Sequence, residues 1–320
     1  VGSSNVVNTY TNAIEPITVE LNTDLASYAP DMSVMDFIKG ISNMFNLTIF
    51  SDGVDSYKWM PLHDFYNSGN EYNITDYVSK DKITVERPQL FKEFDFKYNE
   101  SKSILNSEFN DLFSRQYSDL NATFPYDGAK FTLQLPFETI LHEKISGTPI
   151  QLGYCVDKDA KPYMPRPVIL YENSQVSTAQ FYFEGVFHSG SYMPFGQDIS
   201  EGLVNSNINF NLEISTYTLA PESNTLYELY YSDYLSNLYN RKTRKIKINS
   251  NLPSSILNKL NLNDKIIVGD KRYIIDKIST NLSNRDVSLD LLSWWENDYS
   301  QGKSYRLTRN FQTLNIHFEL

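Results

Sequence analysis

The sequence predicts an α+β protein that is mainly β, with several small antiparallel β-barrel or sandwich modules and a few short helices. Two observations support this fold class. The 320 residues include 23 Tyr and 19 Phe, and aromatic side chains pack well on the pleated face of a sheet. Short apolar segments also follow one another closely between Gly and Pro, which favours a barrel or sandwich over an alternating α/β layout.

In the N-terminal third, residues 1–28 alternate weakly between apolar and polar residues and predict an extended stretch. One helix and one hairpin are predicted after it. Ser33 with Asp36 three residues later indicates a helix N-terminus, and apolar residues at helical spacing extend the helix over 33–45. Residues 47–62 then predict a hairpin with Asp52 and Gly53 at its turn.

The middle of the chain predicts mostly strands. They are expected at 83–85, 91–98, 130–137, 166–172, 179–187 and 207–215, with a short helix at 103–117. The alternation of apolar and polar residues in these segments is typical of strands with one buried face.

Residues 222–240 predict a Tyr-rich helix. One face carries apolar residues at helical spacing, namely Tyr227, Tyr231, Tyr234 and Leu238. Thr225 and Glu228 have the spacing of a capping box. This stripe favours a helix packed on a sheet, and a sugar-binding platform is the alternative interpretation.

A basic cluster follows the Tyr-rich helix and consists of Arg241, Lys242, Arg244, Lys245 and Lys247. Its first members suit the negative end of the helix dipole and the unsatisfied carbonyls there. A contact with nucleic acid or an acidic partner is the functional alternative.

Beyond the cluster, the chain predicts strands at 245–249 and 286–292, a helical turn after Pro253, and a hairpin within 261–280. In this hairpin Gly269 is expected to have a positive φ, and Asp270 beside it also tolerates a positive φ. A phosphate-binding loop would need a following helix, and a second strand follows instead.

The second strand of this hairpin is expected to bury both faces. Alternation places Tyr273 and Ile275 on one face and Ile274 and Ile278 on the other. The Tyr-rich helix or a neighbouring subunit is expected to cover the second face.

These patterns suggest three domains. Residues 1–97 form an α+β domain, 98–220 a β-rich domain, and 221–320 combine the Tyr-rich helix with a barrel-like domain.

Catalytic and metal-binding signatures are incomplete. His142 and Glu143 begin a zinc-hydrolase motif, but Ser146 stands where the second His belongs. The other histidines, His63, His188 and His317, are isolated. The stretch around Ser191 lacks the spacing of a serine-hydrolase elbow.

Other chemistry is also disfavoured. The single cysteine, Cys155, is expected to be an inert buried thiol. Carboxylate pairs for glycoside cleavage stay open, because their separation is spatial. We therefore predict a protein that is not an enzyme and has no catalytic, cofactor or metal site.

The formal net charge of −11 repels phosphate backbones and anionic membrane surfaces, which disfavours specific duplex binding. No apolar run approaches the roughly 20 residues that span a bilayer, so no membrane-spanning segment is predicted.

Several segments, in order, resemble the hub protein at the distal end of tailed-bacteriophage tails, the tail-associated or baseplate hub family. They are MDFIKGISNMFNLTIF, DYVSKDKITVERP with FDFKYNESKSILN, MPRPVILYEN, NTLYELYYSDYLSNLYNRKTRKIKIN and LNLNDKIIVGDKRYIIDKIS, which span most of residues 31–292. The stretch after Ser293 is not covered. Members of the family often carry more N-terminal sequence, which leaves the completeness of the first domain open.

The resemblance implies a non-enzymatic, typically trimeric ring in the virion, at the distal end of the tail. Such a ring continues the tail tube and contacts the tube protein, the tape measure, and distal tip, spike or fibre proteins. DNA passes through it transiently and without specificity, and a lumen lined with carboxylates suits that passage. A receptor- or carbohydrate-binding module of a virion is the alternative function.

Overall fold

The structure is a computed structural model that describes residues 32–81, 83–144, 151–173, 180–183, 186–189, 193–195, 207–214, 221, 224–281 and 286–294. The helices are α1 (Val34–Met44), α2 (Leu62–Asn67), α3 (Ile104–Phe113), α4 (Ser232–Tyr239) and α5 (Ser254–Leu257), with a 3-10 turn at Thr75–Tyr77 and a π-helical segment at Tyr227–Tyr231. The predicted extended stretch over residues 1–28 lies outside the described residues.

The strands are β1 (Leu47–Gly53), β2 (Ser56–Pro61), β3 (Glu71–Asn73), β4 (Thr84–Glu86), β5 (Glu93–Asn99), β6 (Leu120–Thr123), β7 (Lys130–Glu138), β8 (His142–Lys144), β9 (Gln151–Gly153), β10 (Tyr171–Asn173), β11 (Gln180–Phe183), β12 (Val186–Ser189), β13 (Met193–Phe195), β14 (Lys245–Asn251), β15 (Lys265–Val268), β16 (Lys271–Asn281) and β17 (Asp286–Ser293). The predicted α+β, mainly β class is confirmed.

The described strands form a six-stranded sheet in the order β3-β15-β16-β17-β14-β4, a three-stranded sheet β6-β5-β7, and two-stranded sheets β1-β2, β8-β9, β10-β13 and β11-β12. No sheet closes into a barrel within this part of the chain, so the barrel form of the predicted modules is wrong there. The two edge strands of the large sheet, β3 and β4, are consecutive in the chain, and residues 74–83 connect them from one edge to the other. Two pairings are parallel, β3 with β15 and β5 with β7.

Helix α1 begins where the sequence predicts. The side chain of Ser33 accepts a hydrogen bond from the backbone N–H of Asp36 at 3.1 Å, which satisfies one of the free amides of the first turn. A Cβ at position 40 would lie 2.7 Å from ring carbons of Phe137 on β7. Gly40 therefore allows the helix to approach β7 closely.

The β1-β2 hairpin is confirmed, but its turn lies two residues later than predicted. Strand β1 continues through Asp52 and Gly53, and the turn is formed by Val54 and Asp55, with Asp55 at φ 57°. Asp tolerates this left-handed conformation better than most residues do, which lets the turn form without a glycine at that position.

The first core is aromatic and lies between the three-stranded sheet, α1 and the Tyr-rich helix. Its buried residues are Met44, Phe94, Phe96, Tyr98, Leu135, Phe137, Ile208, Phe210, Leu226, Tyr231, Leu235 and Tyr239. The rings of Phe96 and Tyr231 meet edge to face, with centroids 4.8 Å apart, which is a preferred geometry for aromatic pairs.

One segment of this core is not the strand that the sequence predicts. Residues 207–213 contribute Ile208 and Phe210 to the core without joining a ladder. Their backbone groups bond to loops and helix ends instead: the N–H of Phe210 bonds to the carbonyl of Ser118, and the carbonyl of Asn209 accepts from Leu226. The strand prediction for 207–215 is therefore wrong over its described residues.

The second core is aliphatic and covers one face of the six-stranded sheet. It contains Ile74, Ile246, Ile248, Leu252, Ile266, Tyr273, Ile275, Val287, Leu289 and Leu291. Strand β14 alternates strictly between buried and exposed residues from Ile246 onward, as expected for a strand with one solvated face.

Strand β16 buries residues on both faces, as predicted, but Ile278 lies on the opposite face from the predicted one. A register shift between Ile275 and Lys277 restarts the alternation. Ile278 therefore pairs with Leu289 and packs against the second core, together with Tyr273 and Ile275.

The remaining local predictions can be compared directly with the structure. The short helix within 103–117 is α3, the helical turn after Pro253 is α5, and the strands at 245–249 and 286–292 lie within β14 and β17. In the turn between β15 and β16, Gly269 has φ 65°, whereas Asp270 is not among the residues with positive φ. The boundaries at 97 and 220 stay predictions.

Candidate functional site

His142 and Glu143 lie on strand β8, not on a helix. Successive side chains of a strand point to opposite faces, so the two cannot form the helical zinc motif. Burial lowers the pKa of His142, and a hydrogen bond with the backbone of Ile140 raises it by a smaller amount. Glu143 accepts a hydrogen bond from the hydroxyl of Tyr154 at 2.9 Å. Within the described ranges, no group of three or more His, Cys, Asp or Glu residues could hold a metal ion.

Of the other histidines, the structure describes the side chain of His63. His63 lies on α2, where its Nε2 is 2.7 Å from the side-chain nitrogen of Asn67, one helical turn away. Its ring centroid is 6.4 Å from that of Trp294. Ser191, His317 and the side chain of His188 lie outside the described residues.

Cys155 is exposed, so the prediction of a buried thiol is wrong. The residue follows β9 in an irregular segment, where its carbonyl accepts a hydrogen bond from the backbone N–H of Tyr163. The side chain of Cys155 is exposed to solvent, and its backbone is fixed by this hydrogen bond.

The basic cluster takes structural roles. Nη1 of Arg244 donates to the carbonyls of Arg241 and Thr243, both at 2.8 Å. On the exposed face of β14, Nζ of Lys245 is 2.7 Å from the carboxylate of Asp276. Lys247 lies 4.0 Å from Asp290. Arg244, Lys245 and Lys247 thus make contacts within the chain, at places other than the helix end that the sequence suggests.

The end of α4 is capped by a neutral residue of the same segment. The hydroxyl of Thr243 donates to the carbonyl of Asn237 at 2.6 Å, and the backbone N–H of Asn240 bonds to the same carbonyl at 3.3 Å. Among the described contacts, Thr243 thus takes the role that the sequence suggests for the basic side chains.

The Tyr-rich helix packs on the first core, as the first of the two sequence interpretations predicts. The predicted capping box is present: Thr225 Oγ1 accepts from the N–H of Glu228, and the Glu228 carboxylate accepts from the N–H of Thr225, both at 3.2 Å. The hydroxyl of Tyr231 donates to the carbonyl of Asn43, and burial raises the pKa of Tyr231. The helix therefore fastens α1 to the first core.

The same helix also lies close to the second face of β16. Burial is the main cause that raises the pKa of both Tyr66 and Tyr234, and the nearby carboxylate of Asp276 raises both further. The side chain of Asn237 donates to the carbonyl of Ser293 at 3.3 Å. Of the two predicted covers for this face, the Tyr-rich helix of the same chain is thus observed beside it.

Buried carboxylates escaped the sequence analysis because most of their partners are remote in the chain. Asp264 is fully buried and accepts from the backbone N–H groups of Asn70 at 2.7 Å and Asn261 at 2.6 Å. Glu138 accepts from the N–H of Arg166 at 3.0 Å and from the hydroxyl of Tyr163. Both carboxylates tie loops together, which is a structural role.

Among the described strands, β4 forms one edge of the large sheet. It pairs with β14 on one side, and all three of its residues are exposed. Val85 is 58% exposed and its neighbour Ile83 is 47% exposed. We call residues 83–86 the β4 edge.

The turn of the first hairpin exposes apolar side chains as well. Val54 is 94% exposed and Tyr57 is 71% exposed. We call residues 54–57 the hairpin tip. Exposed large apolar residues are individually normal on a surface, but grouped ones indicate contact sites.

A polar groove of about 740 Å³ lies where residues 76–81 pass the ends of β14, β16 and β17. Its carboxylates and amides are Asp76, Asp81, Asp286, Asn249, Asn251 and Asn281. The lining also includes Tyr77, Val78, Val287 and several Ser and Thr residues. No Lys or Arg is among these described residues, and Lys82 and Arg285, the chain neighbours of Asp81 and Asp286, lie outside them.

A scan of the sequence against protein-family models and a search of curated proteins both find no match. No helix in the described part of the chain is long and apolar enough to cross a membrane.

Proposed function

We propose that this chain is a structural component of a phage tail tip, one subunit of a trimeric hub ring. The ring continues the tail tube and connects it to distal tip, spike or fibre proteins, and DNA passes through it during ejection. The chain works by assembly and not by turnover.

The β4 edge is the observation that carries the proposal. An edge strand offers a row of N–H and C=O groups to a further strand, although the short length of β4 and the exposed charge of Glu86 limit such pairing. Here Val85 and Ile83 are exposed beside that edge. The arrangement suits a strand or loop of a neighbouring subunit.

The hairpin tip supports the same conclusion from another part of the chain. Val54 and Tyr57 project from a turn joined to α1 through β1. Interfaces are enriched in Tyr and depleted of charge at their centre. The tip therefore suits a contact with a second subunit or with a neighbouring tail protein.

The buried polar groups support a structural role. Glu138, Glu213 and Asp264 are each occupied by hydrogen bonds from backbone or Arg groups that hold segments in place. A catalytic carboxylate would instead face a cleft open to substrate.

The charge of the chain suits passage of DNA. With a net charge of −11, the long-range field repels phosphates, so a ring lined by carboxylates does not retain DNA. A map of the assembled ring with a basic inner wall would contradict this part of the proposal.

The mass of the purified particle by light scattering tests the proposal. We expect a particle of about three times the chain mass of 37.0 kDa, seen as closed rings by negative-stain microscopy. A clean monomer at the highest soluble concentration, with no rings on added tail tubes, would count against the hub.

A further inference from the structure

We propose that residues 314–320 of one subunit pair as a strand with the β4 edge of the next subunit. This inference rests on the hub proposal, because it names the segment that joins neighbouring subunits of the ring. Strand addition to a sheet edge is a common mode of recognition, in which backbone hydrogen bonds provide affinity and alternate side chains provide specificity.

The apolar face of the large sheet is exposed to solvent at the β4 edge. Val85 pairs with Ile246, and residues directly opposite each other in a ladder point to the same face. Ile246 is 5% exposed, whereas Val85 is 58% exposed. A further strand with an apolar residue beside Val85 would extend the second core by one strand.

The other face of the same edge is polar. Thr84 pairs with Lys247. Glu86 pairs with Lys245. A strand that suits both faces therefore needs apolar and polar residues in alternation, with the apolar ones on the side of Val85.

Residues 314–320 have this alternation. Their apolar members are Leu314, Ile316, Phe318 and Leu320, and their polar members are Asn315, His317 and Glu319. Strict alternation is typical of a strand with one apolar face, and Ile and Phe favour strands. The segment lies outside the described residues, and the prediction of a strand comes from its sequence.

The chain leaves the large sheet close to β4. Leu292, near the end of β17, pairs with Lys245, which pairs with Glu86. At a strand spacing of about 4.8 Å, the end of β17 is about 10 Å from β4. Residues 295–313 can span up to about 60 Å when extended. This connection is far longer than a return to the same β4 edge requires, and it is long enough to reach a neighbouring subunit.

The connection is also basic. It contains Lys303, Arg306 and Arg309, and no acidic residue lies between positions 299 and 313. Copies of a chain with a net charge of −11 repel one another. A basic connection that lies against the next subunit offsets part of this repulsion, which favours exchange of the segment between subunits.

Disulfide cross-linking of the full chain tests the proposal. Cys155→Ser removes the native thiol, and Val85→Cys is combined in turn with Leu314→Cys, Ile316→Cys and Phe318→Cys. Paired strands bring Cα atoms to the roughly 4.4–6.8 Å that a disulfide needs. After mild oxidation, we expect at least one of these pairs to give covalent dimers and trimers on a non-reducing gel.

The matched controls combine Val85→Cys with Asn315→Cys or His317→Cys, whose side chains belong to the opposite face of the segment. We expect them to cross-link at least about tenfold more slowly, because the strand holds their thiols away from position 85. Circular dichroism confirms that each variant folds, and Ile83→Cys replaces Val85→Cys if that variant does not.

Light scattering of the parent chain separates this inference from the hub proposal. A parent trimer without cross-links between subunits, or with equal rates for the two faces of the segment, overturns the strand exchange and leaves the hub proposal intact. Cross-links confined to single chains also overturn it, because the segment then covers its own edge. A monomeric parent chain counts against the hub proposal and the strand exchange together.

Discussion

The guanidinium of Arg115 donates two parallel hydrogen bonds to the buried carboxylate of Glu213, at 2.6 and 2.7 Å. The Glu213 side chain is 3% exposed and the Arg115 side chain is 34% exposed. The backbone N–H of Ser118 donates to the same carboxylate at 2.9 Å. The pair thus joins the end of α3 to the segment that carries Phe210 into the first core.

Arg115→Leu is expected to lower the free energy of unfolding by about 2–4 kcal/mol. It leaves a buried carboxylate without its counter-charge, which costs about 3–5 kcal/mol in fully buried pairs, and partial exposure of Arg115 reduces the effect. Urea denaturation measures the change. Lys158→Leu is the control, because its ion pair with Asp111 is exposed at 3.6 Å; a loss there as large as in Arg115→Leu would contradict the prediction.

Tyr239→Phe is expected to destabilise the chain by about 1–3 kcal/mol. The Tyr239 hydroxyl accepts from the N–H of Phe91 at 2.7 Å and donates to its carbonyl at 2.6 Å. Phenylalanine keeps the ring in the core but leaves both backbone groups without this partner. Thermal unfolding against Tyr57→Phe, which alters an exposed hydroxyl, measures the difference, and equal melting temperatures for the two variants would refute it.

Asp119 is expected to make stability depend on pH. Burial raises the pKa of Asp119 from 3.8 to about 6. The hydrogen bond that its carboxylate accepts from the N–H of Tyr98 lowers the pKa, but by less. The native state therefore binds the proton more tightly than the unfolded state does. The proton bound by Asp119 therefore stabilises the native state. This stabilisation is fully present below about pH 3.8 and is lost as the pH rises through about 6.

Asp119→Asn keeps an acceptor for Tyr98 and removes the charge. We expect it to stabilise the chain by about 1–3 kcal/mol at pH 7.5 and by much less at pH 4. Denaturation at both pH values measures this. Asp111→Asn, at an exposed carboxylate, should change stability by less than about 0.5 kcal/mol; a gain from Asp119→Asn that does not vary with pH would show that another cause operates.

Features set by neighbouring residues could be predicted from the sequence. The Ser33 cap, the Thr225–Glu228 capping box and the Gly269 turn each depend on residues at most three positions apart. Their hydrogen bonds and backbone angles follow from local chemistry. The structure therefore agrees with these predictions almost residue by residue.

Features set by distant pairing could not be predicted. Strand β3 joins β15 in parallel, and the chain crosses from one edge of the large sheet to the other between Ile74 and Ile83. A single irregularity near Asp276 reverses the face of Ile278. Neither leaves a signal in local periodicity, because each depends on which strand lies alongside.

The exposed Cys155 gives a simple solution test. We expect about one equivalent of thiol per folded chain to react with Ellman's reagent without denaturant, because the chain has one cysteine and it is exposed. Denaturation should add no further thiol. A thiol that reacts only after unfolding would contradict the exposed position.

Assembly through the β4 edge can be separated from assembly in general. Val85→Lys places a charge on an edge strand, which disfavours pairing with another strand, while the 58% exposure of Val85 lets the new side chain reach solvent. We expect the proposed trimer to dissociate at least about tenfold more readily, measured by light scattering across a dilution series. Leu112→Lys, at a residue of α3 that is 76% exposed, should leave the trimer intact. A Val85→Lys variant that assembles as stably as the parent would remove the β4 edge from the proposed interface.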